Sequence, residues 1–275
     1  MPDPVSYTGV LPIGEPTVAF LSGLLAGERV DRRTRKGRHA WGCYRHAVLV
    51  LRWFLDGTRV AQLANDNQLS RSTAYRYLHE AIDVLAAAAP SLHGALLAAR
   101  IAGHTHVHLD GTLIRTDRSK AAGPTVGVDL WWSGKHHHHG GNVQVVTAPD
   151  GWPLWTSPVR PGREHDTTCA RTHEGLLDAL TDWTDSEHTV LADLGYEGEN
   201  TRLTCPIKHT RVALTAEQRT INALHSATRA LAERGNSLLK TTFKGLRRVT
   251  LCPWRIGAIT AAALVLMHHE HDRTT

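Results

Sequence analysis

The chain has 275 residues, a formal charge of +5, 41% hydrophobic and 21% charged residues. That balance excludes a chain too polar to build a core and leaves room for one large domain, or a large one with a smaller companion. The positive charge suits a polyanionic partner, and the basic residues are mostly arginine, which favours forked phosphate contacts but equally reflects a GC-rich coding sequence.

Cys43, Cys169, Cys205 and Cys252 are scattered with no CxxC pair, so reduced thiols and an intracellular setting are expected. The opening Met1-Pro-Asp-Pro has no positive or apolar region of a signal peptide. The longest apolar stretch, Ile256 to Met267, is short for a bilayer span and predicts a buried C-terminal helix, with no membrane partner. A cytoplasmic, nucleoid-associated protein is the resulting expectation.

The first hundred residues read as helical. Ala40 to Leu55 spaces Trp41, Tyr44, Ala47, Val48, Leu51, Trp53 and Phe54 as a core helix does. Before it lies the basic run Arg29 to Arg38, either a solvated face or a phosphate contact. Thr58 is placed to cap a short helix carrying Val60, Ala61, Leu63 and Ala64. After the turn Asn65 to Leu69, Ser70 is placed to cap a second helix. That pattern predicts a helix-turn-helix over about 58–85, with Arg71, Ser72, Thr73, Tyr75 and Arg76 presented to DNA. A helical hairpin that only packs is the plain alternative.

After Ala89-Pro90 the pattern changes. Candidate strands are His104 to Leu109, Thr125 to Trp132, Asn142 to Thr147, Gly151 to Thr156 and His188 to Ala192, with a hairpin signal at Pro149-Asp-Gly-Trp. Asp166 to Trp183 reads as one helix burying Leu176, Leu177 and Leu180, with Asp166 as its cap. Thr215-Ala-Glu-Gln218 matches a capping box and opens a helix to about Lys240. The fold expected is α/β: a mixed sheet flanked by helices over 96–275, with a helical N-terminal domain over 1–95 and the boundary falling within 88–103.

Three carboxylates stand in contexts that a metal-dependent phosphodiester enzyme needs: Asp110 and Asp193 at strand ends and Glu233 on a helix. At about 100° per residue, Arg229, Ser237 and Lys240 fall within about 40° of Glu233, while Leu224, Leu231 and Leu238 lie opposite. The leucines are thus expected to bury and the polar face to reach metal and phosphate. The plainer reading is an amphipathic helix with an i, i+4 Arg229–Glu233 pair. Asp110 and Asp193 each precede turn-forming residues, and Asp129 is a further carboxylate that a strand could aim at a site. His136 to His139 cannot all face one ion and reads as a loop that turns cationic at low pH.

Leu109-Asp-Gly-Thr112, Ser133-Gly-Lys-His136 leading into Asn142-Val-Gln144, Arg163-Glu-His-Asp166, Ala192-Asp-Leu-Gly-Tyr-Glu-Gly198, Leu214-Thr-Ala-Glu-Gln218 and Arg229 through Glu233 to Lys240 follow one another along the chain. In that order they resemble the DDE transposases of bacterial insertion sequences, nearest to the insertion sequence 5 family and its Harbinger-like relatives. The likeness covers roughly residues 40–265. It implies an RNase H-like fold whose triad is Asp110, Asp193 and Glu233, with Arg229 and Lys240 on DNA phosphates. It further implies two divalent ions, Mg²⁺ or Mn²⁺, double-stranded DNA as partner, and a homo-oligomer that joins two element ends. Leu194 departs from the family, which often has lysine there, and Gly235 weakens the helix beside Glu233 by about 1 kcal/mol relative to alanine. Two other functions fit the same residues: a DNA-binding protein without catalysis, and an RNase H-like endonuclease without strand transfer.

Overall fold

The structure is a computed structural model that describes residues 9–35, 37–209 and 213–275. Met1 to Pro4 and Lys36 of the basic run lie outside the described residues.

Five helices precede the first strand: α1 (Glu15–Asp31), α2 (Cys43–Asp56), α3 (Val60–Asp66), α4 (Arg71–Ala87) and α5 (Leu92–Ile101). The expected core helix starts three residues late, at Cys43. Trp41 precedes it and Tyr44 is exposed, whereas Ala47, Leu51, Trp53 and Phe54 are buried. Gly57 ends it in the left-handed conformation, φ 67°, which costs glycine little. Thr58 does not cap α3: the cap position is Arg59, without a side-chain bond, because the chain turns one residue later than the spacing suggests. Ser70 does cap α4, its hydroxyl accepting from the Thr73 amide at 3.1 Å.

The sheet is built on β1 (His106–Arg115), flanked by β3 (His138–Thr147) on one side and β6 (Thr189–Ala192) on the other. The short strands β2 (Trp132–Ser133), β4 (Pro153–Thr156) and β5 (Arg160–Pro161) pair with β3. β1 runs antiparallel to β3, with Asp110 opposite Val145 and Gly111 opposite Gln144, and parallel to β6, with Leu109 beside Ala192. A parallel neighbour needs a crossover. It is supplied by α6 (Asp166–Thr172) and α7 (Leu176–Trp183). A mixed sheet flanked by helices results, consistent with an RNase H-like fold.

Several expectations change. The strand expected over Thr125 to Trp132 is a loop with one isolated bridge, Ala122 to Asp129, because Gly123, Pro124 and Gly127 (φ 77°) interrupt the extended chain. β1 does not stop at Leu109, so Asp110 lies within the strand rather than at its end, and Gly111 is not a turn. The helix expected over 166–183 breaks at His173 to Gly175, where Gly175 has φ 73°, although Leu176, Leu177 and Leu180 are buried as expected. Asp166 is not the cap: His165 holds that position and Asp166 is the first residue of α6. His136 and His137 form a turn, whereas His138 and His139 open β3 opposite Ser133 and Trp132.

The long helix α8 (Ala216–Thr242) begins on the expected capping box. Thr215 Oγ1 accepts from the Gln218 amide at 3.1 Å, and Gln218 Oε1 accepts from the Thr215 amide at 3.0 Å. Its phase differs from the leucine reading. Leu224 is exposed, Leu231 and Leu238 only half-buried, and the buried side consists of His225, Ala232, Gly235, Asn236 and Leu239. The reason is close approach. A methyl group on Gly235 would overlap the carbonyl oxygen of Gly151 in the β3–β4 turn, so only small residues fit at the contact. Gly151 itself has φ 88°, as the hairpin signal at 149–152 requires.

The last helix, α9 (Ile256–Glu270), is buried along most of its length, as the apolar run predicts. It packs on both α4 and β4, and Arg255 beside it pairs with Asp83 of α4 at 2.6 Å. One apolar core therefore reaches from Val18 to Met267. Among the described residues, no single helix is long and apolar enough to cross a membrane.

Candidate active site

β6 ends one residue short of Asp193 while β1 continues past Asp110. A cleft therefore opens beside β1 at the end of β6, and carboxylates enter it from separate elements. Asp110 points to the α8 face, where Asn236 Nδ2 donates to its Oδ2 at 2.7 Å. Asp193 caps the short 3-10 turn at 194–199, its Oδ1 accepting from the Gly195 amide at 2.7 Å. Burial, then the nearby Asp193 and then Asp166 push the Asp110 carboxyl up to about 6, against the opposing pull of Arg229 and Asn236. Two of the three expected acids are thus close enough for the Asp193 charge to act on Asp110.

Glu233 lies on the same helix but is turned away in this state. Its Oε1 accepts from Arg229 Nη2 at 2.5 Å and Nε at 3.2 Å, and its side chain is 55% exposed. This is the i, i+4 pair of the plainer reading. The same guanidinium also feels Asp193 and Asp110, which help hold its pKa above the ordinary value, after the larger effect of its bonds to Glu233. Arg229 therefore stands between Glu233 and the aspartates. One turn on, Asn236 meets Asp110, and Lys240 Nζ donates to Thr112 Oγ1 at 2.9 Å. Burial lowers the Lys240 pKa and Asp110 opposes that shift.

Sequence reasoning quoted the motifs that contain Asn142, Gln144, Asp166 and Tyr196 but gave these residues no part in the site. Asn142 and Gln144 alternate on one face of β3, and the Asn-Val-Gln spacing is the signal that marks them. Tyr196 is fully buried and its hydroxyl donates to Gln144 Oε1 at 2.5 Å. Gln144 Nε2 donates to Asn142 Oδ1 at 2.9 Å, and Asn142 Nδ2 to Asp166 Oδ1 at 2.7 Å. Burial raises the Tyr196 phenol well above its usual range, with Asp166, Asp110 and Asp193 adding to it, so it stays a donor. Asn236 lies three residues after Glu233, one helical turn along the same side. Asp129 does not join the cleft: it accepts from the Trp131 amide at 2.9 Å and fixes the 118–131 loop.

Earlier in the chain, Arg71, Ser72, Tyr75 and Arg76 are exposed at the start of α4, and Thr73 is half-buried at the Ser70 cap. Arg76 shares a cleft with Arg32, Arg33, Arg35 and Arg38 of the basic run.

A divalent cation such as magnesium prefers oxygen ligands. The cleft supplies such donors in Asp110 and Asp193, and their mutual repulsion is relieved by positive charge. Asn236 adds an orphan: its Oδ1 is buried and has no hydrogen-bond partner, on a side chain 6% exposed. The chemistry of these donors fits a divalent ion, whereas Glu233 is held by Arg229. Among the described residues no three His, Cys, Asp or Glu side chains already converge as a ready-made metal group.

No curated protein and no solved structure matches the chain significantly. A family model described as DDE superfamily endonuclease matches residues 109–268, more than half of the chain, and that segment holds Asp110, Asp193 and Glu233. With that match, and with Asp110 on β1, Asp193 just past the end of β6 and Glu233 on α8 inside the matched segment, the chain belongs to the DDE superfamily endonucleases.

Proposed function

We propose that this endonuclease is a DNA transposase that cleaves at element ends and joins the resulting 3′-hydroxyls to target DNA. The observation that carries the reading is the approach of Asp110 and Asp193, far apart in sequence, close enough that the Asp193 charge adds to burial in pushing the Asp110 carboxyl up to about 6. Divalent ions, Mg²⁺ or Mn²⁺, would supply neutralisation of the phosphodiester and activation of the attacking oxygen. Asp110 and Asp193 would hold that positive charge, and Glu233 would complete the set if a DNA phosphate displaced it from Arg229. Arg229 and Lys240 then position phosphates. In the first step water adds to phosphorus and the 3′-oxygen leaves as a 3′-hydroxyl. In the second, that hydroxyl attacks a target phosphodiester and displaces the target 3′-oxygen. Two ends must meet, so a homo-oligomer is part of the proposal, as is a nucleoid-associated place in the cytoplasm.

The test is strand cleavage and joining on end-sequence DNA with Mg²⁺ or Mn²⁺. The parent is expected to cut and join, and Asp193→Asn to do neither. Cutting without joining would leave an endonuclease, and tight DNA binding with no nicking would leave a DNA-binding protein. Either result removes the transposase reading.

The helix-turn-helix assignment makes a separate prediction. Arg76→Ala is expected to weaken binding to any duplex and to reduce the slope of log K against log salt by about 1, as loss of one phosphate contact does. An unchanged slope across a salt titration would remove α4 from the DNA interface.

A further inference from the structure

We infer that the surface between α3 and the Asp110 cleft is a further DNA-binding site, a groove of exposed arginines and one lysine that takes the phosphodiester backbone of a duplex running from the helix-turn-helix to the point of cleavage. The inference rests on the transposase reading for the identity of the polyanion, and it concerns side chains that none of the assignments above uses.

Two adjoining clefts make the groove. The first, between the end of α2 and the 3-10 turn Lys244–Leu246, is lined by Arg59, Lys244, Arg247 and Arg248. The second, at the end of β1, is lined by Arg115, Arg118 and the same Arg248. Arg248 and Asp117 line both, so the two are continuous. Six cations thus face two carboxylates, Asp56 and Asp117. Among the described residues a single ion pair forms there, Arg248 Nε on Asp117 Oδ1 at 2.6 Å. Arg247 donates to the carbonyl oxygens of Lys240 and Thr241 and so keeps its charge. Among the described residues Arg59, Arg115, Arg118 and Lys244 pair with no carboxylate, and all four are exposed. Like charges gathered on one surface repel one another, and a polyanion relieves that repulsion. A small anion would meet one or two of them. A nucleic acid backbone, with a charge about every 3.4 Å along each strand, meets the whole row.

The row is fixed by packing. Gly57, which ends α2, lies against the backbone of Lys244, where a β-carbon would stand 3.4 Å from the carbonyl. Gly245 approaches α2 more closely still: a β-carbon there would stand 2.9 Å from the Trp53 carbonyl oxygen. The two glycines let the 3-10 turn settle on the end of α2, which brings Lys244 and Arg59 to one cleft. At the other cleft the Val249 amide donates to the Arg115 carbonyl at 2.8 Å, and Thr116 Oγ1 donates to the Val249 carbonyl at 2.8 Å. Those bonds hold Arg248 alongside the end of β1.

The ends of the groove identify the polyanion. Arg59 holds the cap position of α3, the first helix of the helix-turn-helix pattern, and its side chain makes no cap bond. At the far end the second cleft reaches His137 and His138. The His138 ring centre is 6.0 Å from that of His136, and the neighbouring Lys135 Nζ stands 3.4 Å from Asp166 Oδ2 beside the Asp110 cleft. A duplex held by the helix-turn-helix and cut beside Asp110 finds its positive path here. An acidic protein would meet the same charge, but nothing about it would require the row to join those two places.

The experiment is fluorescence anisotropy of the full chain with labelled duplexes across a salt titration, with the fold checked by circular dichroism and melting. One duplex is about one helical turn long, enough for a helix-turn-helix alone, and the other about four turns. Arg115→Ala, Arg118→Ala and Lys244→Ala combined in one chain are expected to weaken binding of the long duplex on the order of tenfold or more. The slope of log K against log salt should fall by about 0.9 for each contact removed. The short duplex should bind as it does to the parent. Arg115→Lys, Arg118→Lys and Lys244→Arg, which keep the charge, should keep the parental slope. Arg202→Ala, which removes an exposed arginine outside both clefts, should change neither duplex. Parental slope and affinity of the triple alanine variant on the long duplex overturn the inference and leave the groove to an acidic protein. An equal loss on both duplexes overturns it as well, since the row would then add nothing beyond the helix-turn-helix. If the triple variant fails to fold, Arg118→Ala and Lys244→Ala singly decide on the same slope. The two proposals fail separately. Weaker long-duplex binding in these variants, with a parent that neither cuts nor joins DNA, sinks the transposase reading alone. A parent that cuts and joins, with a triple variant that binds as the parent does, sinks this inference alone.

Discussion

Asp110→Asn is expected to yield a protein that melts at a higher temperature than its parent in metal-free buffer at pH 7 and no longer cleaves DNA. Burial and the neighbouring Asp193 and Asp166 raise the Asp110 carboxyl from 3.8 to about 6. Below the lower value the group is protonated in both folded and unfolded chains and costs nothing. As pH rises toward 6, the unfolded chain releases its proton first, so the folded state binds more protons and stability falls through that window. At pH 7 the penalty is roughly 3 kcal/mol, taking 1.36 kcal/mol per pKa unit. Asparagine keeps the shape, and its carbonyl can accept from Asn236, while the charge is removed. A gain of several degrees is expected, at about 2–4 °C per kcal/mol for chains of this size. Cleavage should fall by at least about 10³-fold, or about 4 kcal/mol of transition-state stabilisation. Melts from pH 4 to 7.5, with and without Mn²⁺, and a nicking assay make the check. The parent should lose ground against the variant as pH rises, and Mn²⁺ should stabilise the parent only. A variant that melts lower at pH 7, or cuts at the parent's rate, would refute the assignment of Asp110.

Gly235→Ala should destabilise the protein, although helix propensity alone favours alanine by about 1 kcal/mol. The added methyl overlaps the Gly151 carbonyl oxygen, which belongs to backbone and cannot rotate aside. Overpacking of this kind costs typically about 1–3 kcal/mol, and here a rigid helix must move away from a tight turn to relieve it. A net loss of about 1–2 kcal/mol follows, with a melting temperature lower by about 2–8 °C. The larger effect is on chemistry. Gly235 lies between Glu233 and Asn236, so displacing α8 carries both away from Asp110. A misplacement of about 1 Å can cost about 10²-fold in rate. Ser237→Ala, exposed on the same helix, is the control and should keep both stability and cleavage. If Gly235→Ala melts higher than the parent, the close contact of α8 with the β3–β4 turn is wrong.

Local signals were readable wherever a few neighbouring residues complete an interaction. Ser70 and Thr215 found the amides that their spacing predicts, the Pro149-Asp-Gly-Trp hairpin formed, and Ile256 to Met267 became a buried helix. The reading failed where packing overrode periodicity. Leu224, Leu231 and Leu238 marked an apolar stripe, yet α8 presents its small residues inward, because a glycine admits a closer approach than a leucine. Asp166 looked like a cap, since an aspartate before a threonine-rich helix start usually is one. Its partners, Asn142 and Lys135, lie far away in sequence, and nothing local pairs them with it.

By itself the order of residues along this chain determined which groups are available: alternation and capping set the elements, and Asp110, Asp193 and Glu233 stood among them as candidates for metal-dependent chemistry. Tertiary structure alone decided which of those groups meet. The parallel pairing of β1 with a β6 that stops one residue before Asp193 opens the cleft, and the Gly235–Gly151 contact sets the face that α8 turns to it. The same packing leaves Glu233 on Arg229 and places Asp166 against Gly111. Burial and like-charge repulsion act through space at distances that sequence separation does not encode, so the electrostatic state of Asp110 exists only in the folded chain.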